Sequence, residues 1–354
     1  MNWTPPLDWT KIETIDLHAE GEPLRVISDG FPEPQGDTML EKRRYAKQNL
    51  DHLRKALMFE PRGHADMYGA ILTDPVTDDG DIGVLFTHNE GYSTMCGHGV
   101  IALATMAFEI GAMEGLDDGR RTADDAAQKP TLKLDTPAGR VTAFADWDAE
   151  AKRVRRVSFE NVPSYAYILD QNLDVPGLGN IKFDIGFGGA FYAYVDVDAN
   201  NLDVQLSGEG YRKIIDIGMS IKHAVMQTIP IRHPFEEDMG FLYGTILYGR
   251  AHDANNQSRN VCVFAEGEVD RSPTGTGVSG RLALEWAKGR LKIGEPFTIE
   301  SLIGTTFTGQ VARETMFGEY PAIVPEVSGR AWITGRHEFL IAPDDPLREG
   351  FMLR

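Results

Sequence analysis

"TGTGVSGRLALEWAKGRL", residues 274–291, places three glycines in its first seven positions and then runs into an apolar pattern of helical period. A glycine-rich turn entering a helix presents unpaired backbone N–H groups and the positive end of the helix dipole, which together suit an anion. The spacing of Gly275, Gly277 and Gly280 also fits a dinucleotide fingerprint, and Glu295 stands twenty residues beyond Gly275, where a ribose-binding acid would be sought. Two features argue against that reading. The apolar run "NVCVFA" (260–265) is separated from the glycines by "EGEVDRSPT" (266–274) instead of a tight strand-to-helix turn, and the motif lies late in the chain.

A third feature is a second copy. Set without gaps against "CGHGVIALATMAFEIGAM" (96–113), the stretch brings Gly97/Gly275, Gly99/Gly277, Val100/Val278, Phe108/Trp286 and Gly111/Gly289 into register. The offset is 178 residues, half of the 354-residue chain. Applied to "KIETIDLHAEGEPLRVI" (11–27), it predicts a matching strand near residue 189, where "GAFYAYVDVD" (189–198) stands. The chain reads as a duplicated α/β unit, each half carrying one glycine loop and one central helix. Two such helix ends meeting at a domain interface would aim two sets of N–H groups at one cleft.

The chain has two cysteines, too few for a disulfide framework and in no metal-ligand spacing. Cys262 lies in the β-branched run "NVCVFA" and reads as a small buried hydrophobe. Cys96 stands at the start of a helix, where the N–H groups and the dipole favour the thiolate. A buried cap cysteine would leave the same local pattern, so this stretch alone admits both readings.

Composition narrows the ligand class. The balance of 35 Lys+Arg against 53 Asp+Glu, a net charge of -18, disfavours nucleic acid and anionic membrane surfaces and leaves a small molecule as the expected partner. The N-terminus lacks a basic segment followed by an apolar one, and no apolar run approaches the roughly 20 residues of a membrane span, so a cytoplasmic protein is expected.

Six further stretches carry a family resemblance: "TIDLHAEGEPLRVI" (14–27), "EPRGHADMYGAIL" (60–72), "MCGHGVIA" (95–102), "DRSPTGTGVSGRLA" (270–283), "ESLIGTTFTGQV" (300–311) and "ITGRHEFLIAPDDPLREGF" (333–351). Together they resemble the proline racemase family across nearly the whole chain. The resemblance implies an α+β fold of two similar halves, each a β-barrel-like sheet around its central helix, with the active site at their interface. Residues 1–185, joined by a returning 335–354, would form the first half and 186–334 the second. A homodimer is the assembly the family implies.

In that family, racemases and 4-hydroxyproline epimerases carry a cysteine in both loops, one taking the α-proton and the other delivering it to the opposite face. Here Cys96 matches the first cysteine and Thr274 stands at the second position. An alcohol without an activating partner cannot replace a thiol in exchanging protons with a carbon acid. The Cys/Thr pairing, with "GFLYGTILYG" (240–249), resembles the family's trans-3-hydroxy-L-proline dehydratases. The resemblance implies that Cys96 removes the α-proton while the 3-hydroxyl leaves as water, giving a pyrroline-2-carboxylate. It also implies that the N–H groups of Gly97, His98, Gly275 and Thr276 hold the carboxylate and that Asp270 holds the ring ammonium. The Thr274 hydroxyl would either bind the departing oxygen or fill the space of a cysteine. This chemistry calls for no cofactor and no metal. An epimerase or racemase is the enzymatic alternative, and a non-catalytic binder of proline-like amino acids the other.

Outside these motifs, "KRRYAKQNLDHLRKALMFEPRGH" (42–64) predicts a helix ending before Pro61, residues 118–130 a polar loop, and "TLKLDTPAGRVTAFADWD" (131–148) a strand. His18 and His64 have packing as a sufficient explanation.

Overall fold

Helix α3 (Gly97–Glu109) is buried at every residue from Gly97 to Ala107, and helix α5 (Gly275–Ala287) at every residue from Gly275 to Glu285. A helix covered on all sides needs structure wrapped around it, and the sheet supplies that. The computed structural model describes residues 3–111 and 130–353; the expected loop at 118–130 lies, apart from Pro130, outside them.

The first half contains β1 (Thr10–Ala19), β2 (Glu22–Asp29), α1 (Met39–Tyr45), α2 (Asp51–Met58), β3 (Tyr68–Thr73), β4 (Ile82–His88), β5 (Gly91–Tyr92), α3, β6 (Thr131–Thr136), β7 (Gly139–Asp148) and β8 (Arg153–Glu160). The second contains β9 (Ser164–Val175), β10 (Gly179–Phe187), β11 (Phe191–Asp196), α4 (Tyr211–Thr228), β12 (Leu242–Gly249), β13 (Ser258–Phe264), β14 (Glu268–Val269), α5, β15 (Phe297–Glu300), β16 (Thr306–Phe317) and β17 (Tyr320–Gly329). Strand β18 (Ala331–Ile341) pairs antiparallel with β1 from Thr10↔Ile341 to Ala19↔Ala331.

The second half closes on itself. Its hydrogen-bonded ring runs β9, β10, β11, β12, β13, β15, β16 and β17, and β17 returns to β9 through Ala322↔Tyr165 and Ile323↔Ser164. This eight-stranded barrel surrounds α5. In the first half, β18, β1, β2, β3, β4, β6, β7 and β8 follow one another around α3, and β8 pairs with β17 over Gly329↔Val157 to Glu326↔Glu160. One shared strand therefore joins the two rings. The expected α+β fold of two barrel-like halves is the fold observed.

The boundary expected between residues 185 and 186 falls instead between β8 and β9, because β9 and β10 pair into the second ring, and the strand returning to the first half begins at Ala331 rather than 335. Three local expectations also change. The helix predicted at 42–64 begins earlier, at Met39, because Thr38 and Glu41 form a reciprocal capping box; a π-helical turn at Ala46–Leu50 splits it, and it ends at Met58 before Pro61. The strand predicted at 131–148 is the hairpin β6–β7, since Pro137 and Gly139, at φ +125°, turn the chain between them. The strand predicted near residue 189 exists as β11, but its topological counterpart is β2 rather than β1. Each is followed by helix and then by a parallel strand, β3 beside β2 and β12 beside β11.

Candidate active site

The N-termini of α3 and α5 meet. A Cβ built on Gly97 would lie 2.5 Å from the Cα of Gly275, and one on Gly275 would lie 2.6 Å from the Cα of Gly97. Only glycine at both positions allows this approach. As first and second residues of their helices, Gly97, His98, Gly275 and Thr276 have N–H groups with no carbonyl four residues back inside the helix. All four border one cavity, together with Cys96, Asp270 and Thr274. Every residue anticipated for the site thus lines the same space.

Cys96 caps α3. Its Sγ accepts the Gly99 N–H at 3.3 Å and lies 3.2 Å from Nδ1 of His98. The sequence leads to an expectation of a thiol shifted toward thiolate, and the structure reverses the direction. Burial pushes the Cys96 thiol well above its usual range; the charges of Asp270 and Glu22 add to that, while the Gly99 N–H and the Tyr68 hydroxyl oppose it. Desolvation outweighs the helix end because the cysteine is only 4% exposed. Burial also lowers His98 to about 4, so its imidazole is neutral, with one ring nitrogen donating to the Pro23 carbonyl.

Thr274 occupies the matching cap of α5 with a different local geometry. Its φ is +66°, a conformation rare for a β-branched residue, and such strain clusters at functional positions. The Thr274 side chain makes no capping bond, and its buried hydroxyl lies beside the Cys262 thiol. The backbone is held instead by its own N–H donating to Ser272 Oγ at 3.1 Å and by its carbonyl accepting from Val278 N at 2.7 Å.

Asp270 is fixed by two local bonds: its N–H donates to the Cys262 carbonyl at 3.1 Å, and its Oδ1 accepts the Ser272 N–H at 2.7 Å. The adjoining Arg271 donates its backbone N–H to Glu22 at 2.7 Å and its guanidinium to the Asp66 carbonyl at 3.1 Å, tying the Asp270 loop to the first half. Glu22 is buried beside Asp270; burial first and the Asp270 charge second push its carboxyl well up, against the pull of Arg271.

The cavity also recruits residues that sequence reasoning missed. Cys262 is a lining residue rather than inert packing, and the Thr274 hydroxyl eases its burial-raised thiol downward. Phe264 shares its face of β13, as the alternation of a strand requires. Tyr192 joins its hydroxyl to Thr276 Oγ1 at 2.7 Å, and Tyr68 and Tyr243 complete the wall, their hydroxyls 3.3 Å apart. Apolar–aromatic strands were visible in the sequence, but which face met the cavity was not. His18, which accepts the Gly21 N–H and stacks on Trp332, and His64, exposed, lie outside it.

The model of the proline racemase family matches residues 14–352. The chain belongs to the proline racemase family. It is 44% identical to a trans-3-hydroxy-L-proline dehydratase of Colwellia psychrerythraea, covering 99% of this chain and 96% of that one. It is 43% identical to the trans-3-hydroxy-L-proline dehydratase of Homo sapiens, covering 97% and 95%. Among solved structures, a hydroxyproline epimerase from Agrobacterium vitis with bound trans-4-hydroxy-L-proline superposes with a TM-score of 0.87 at 29% identity, covering 98% of this chain and 96% of that one. Among the described residues of this family member, no helix is long and apolar enough to cross a membrane.

Proposed function

We propose that this protein is a hydro-lyase that dehydrates trans-3-hydroxy-L-proline to pyrroline-2-carboxylate, with Cys96 as the base. The observation that carries the reading is the pairing of Cys96 with Thr274 at two abutting helix ends on one cavity, in a chain 42–44% identical to dehydratases over nearly its full length. A racemase or epimerase of this family would need a second thiol where Thr274 stands.

The substrate carboxylate docks on the N–H groups of Gly97, His98, Gly275 and Thr276, where two helix dipoles add their positive ends. The ring ammonium pairs with Asp270. That pairing also prepares the base: a cation beside Asp270 offsets the negative field that holds the Cys96 proton, and the thiol moves toward thiolate when substrate is present. Cys96 takes the α-proton, the N–H groups stabilise the charge developing on the carboxylate, and the 3-hydroxyl leaves as water. The enamine product tautomerises to the imine.

A proton NMR time course in D2O, with trans-3-hydroxy-L-proline, trans-4-hydroxy-L-proline and L-proline in separate tubes, tests the reading. Conversion of the 3-hydroxy compound to a pyrroline carboxylate, with the other two left as they are, supports it. Epimerisation of the 4-hydroxy compound with deuterium at the α-carbon would replace it with the epimerase alternative.

A further inference from the structure

Stereochemistry constrains the leaving group, granted the dehydratase reading. In trans-3-hydroxy-L-proline the carboxylate and the 3-hydroxyl lie on opposite faces of the ring, so the α-hydrogen and the 3-hydroxyl share a face. Whichever face Cys96 covers, the departing oxygen must be received there. Thr274, at the other helix end, belongs to the other face in the two-thiol arrangement of the family's racemases.

Three tyrosines line the cavity, and the commitments of their hydroxyls differ. Tyr192 has a short bond of 2.7 Å with Thr276 Oγ1. Tyr68 sits against the Cys96 thiol and donates its proton to Ser93 Oγ at 2.7 Å. In the 3.3 Å contact between Tyr68 and Tyr243 either hydroxyl can be the donor. At that length it is weaker than an ordinary O–H···O bond of roughly 2.5–3.0 Å. Tyr243, with this long contact against the 2.7 Å bonds of Tyr68 and Tyr192, therefore has the least engaged hydroxyl of the three, next to the residue that touches Cys96. Its ring is fixed by stacking on Phe264, with centroids 5.4 Å apart and planes 10° apart.

We propose that Tyr243 is the hydroxyl ligand of the substrate: its O–H binds the 3-oxygen on the face covered by Cys96, and the proton that Cys96 takes from the α-carbon is handed to that same oxygen. The balance closes within one turnover. The C2–H bond breaks as S–H forms, its electron pair becomes the C2=C3 bond, the C3–O bond breaks, and the oxygen takes the S–H proton to leave as water. Cys96 returns to thiolate, and Tyr243 keeps its own proton throughout. Burial, which pushes both Tyr68 and Tyr243 well above the usual phenol range, suits tyrosines that donate hydrogen bonds without ionising. Elimination is then syn, and one thiol suffices for both proton transfers.

The test compares the wild-type protein with Tyr243→Phe, which keeps the ring and its stacking. For trans-3-hydroxy-L-proline, kcat is expected to fall at least tenfold in Tyr243→Phe. Inhibition by L-proline, which has no hydroxyl to bind, should stay within about threefold of wild type. Equal turnover in the two proteins overturns the proposal, and so does a parallel loss of L-proline inhibition, which would make Tyr243 a shaping residue. Wild-type protein should leave cis-3-hydroxy-L-proline, whose hydroxyl lies on the other face, at least a hundredfold slower than the trans isomer; comparable rates would overturn the shared-face step. Failure of the wild-type protein to convert the trans isomer at all would instead defeat the dehydratase reading, before Tyr243 is reached.

Discussion

Gly97 and Gly275 touch backbone to backbone, each occupying the space where the other's side chain would begin. The contact sets the separation of the two helix ends and hence the place of the four N–H groups proposed to bind the carboxylate. In Gly97→Ala the added carbon would stand 2.5 Å from Cα of Gly275 and 3.1 Å from the Phe159 ring, so the helix ends must part. Overpacking of this kind costs about 1–3 kcal/mol. Turnover should fall at least a hundredfold, read by substrate assay beside a thermal melt. Gly208→Ala is the control, since nothing lies within 4 Å of its added carbon; activity within twofold of wild type is expected there.

The buried thiol predicts a pH profile. With thiolate as the proposed base and burial raising the free-enzyme pKa of Cys96, kcat/KM should climb with pH along a limb that extends above the ordinary thiol value of about 8.5. If the substrate ammonium pairs with Asp270 as proposed, it draws that pKa down, and the limb in kcat should lie at lower pH than the limb in kcat/KM. Superimposed limbs would mean that the ammonium does not act on the thiol. Cys96→Ser should lose on the order of 10²–10⁴-fold in turnover at every pH, the usual worth of a positioned base, while L-proline still binds.

How far the sequence reaches can be judged from the same residues. Cys96 and Thr274 were legible as a pair because glycine spacing and helical period repeat at a fixed offset, both local signals. The offset failed for the strands: β2 begins at Glu22 and β11 at Phe191, 169 residues apart rather than 178, because the two halves differ in the lengths between strand and helix. Barrel closure rests on β17 pairing with both β8 and β9, a long-range contact that leaves no periodic trace in β17 itself. Cys262 read as packing because alternation identifies the faces of a strand and not what stands opposite them. The direction of the Cys96 shift was missed for a related reason: a helix end is visible in sequence, whereas the desolvation that overrides it is produced by residues far along the chain.

Thr274→Cys would restore a thiol to the second helix end. The threonine side chain makes no cap bond to the helix, and the backbone already holds the positive φ there, so the substitution leaves the helix end in place. Deuterium incorporation with inversion at the α-carbon of trans-4-hydroxy-L-proline is expected in D2O, from an undetectable level in wild type. The assay needs reductant, because Cys262 lines the same cavity. If no epimer forms in the reduced variant, the second face lacks more than a sulfur atom, and the role assigned to Thr274 as the barrier to epimerisation fails.

Away from the cavity, Glu300 predicts how acid weakens the second barrel. Burial alone would raise its carboxyl, but bonds from Asn256, from the N–H groups of Asp253 and His252, and from Arg259 outweigh this and bring it down to about 2. The carboxylate pins the 252–256 turn and the β13–β15 junction, where Arg259 pairs with Glu300. A pKa depressed in the folded protein contributes stability that is full above the unfolded value, about 4.3, and is lost as pH falls toward 2. The shift corresponds to about 3 kcal/mol. Glu300→Gln should therefore lower the unfolding free energy by a few kcal/mol at pH 7, and the gap to wild type should narrow from about pH 5 downward. Urea titrations of both proteins across that range measure it; a gap independent of pH would show that packing, and not the charge of Glu300, holds the junction.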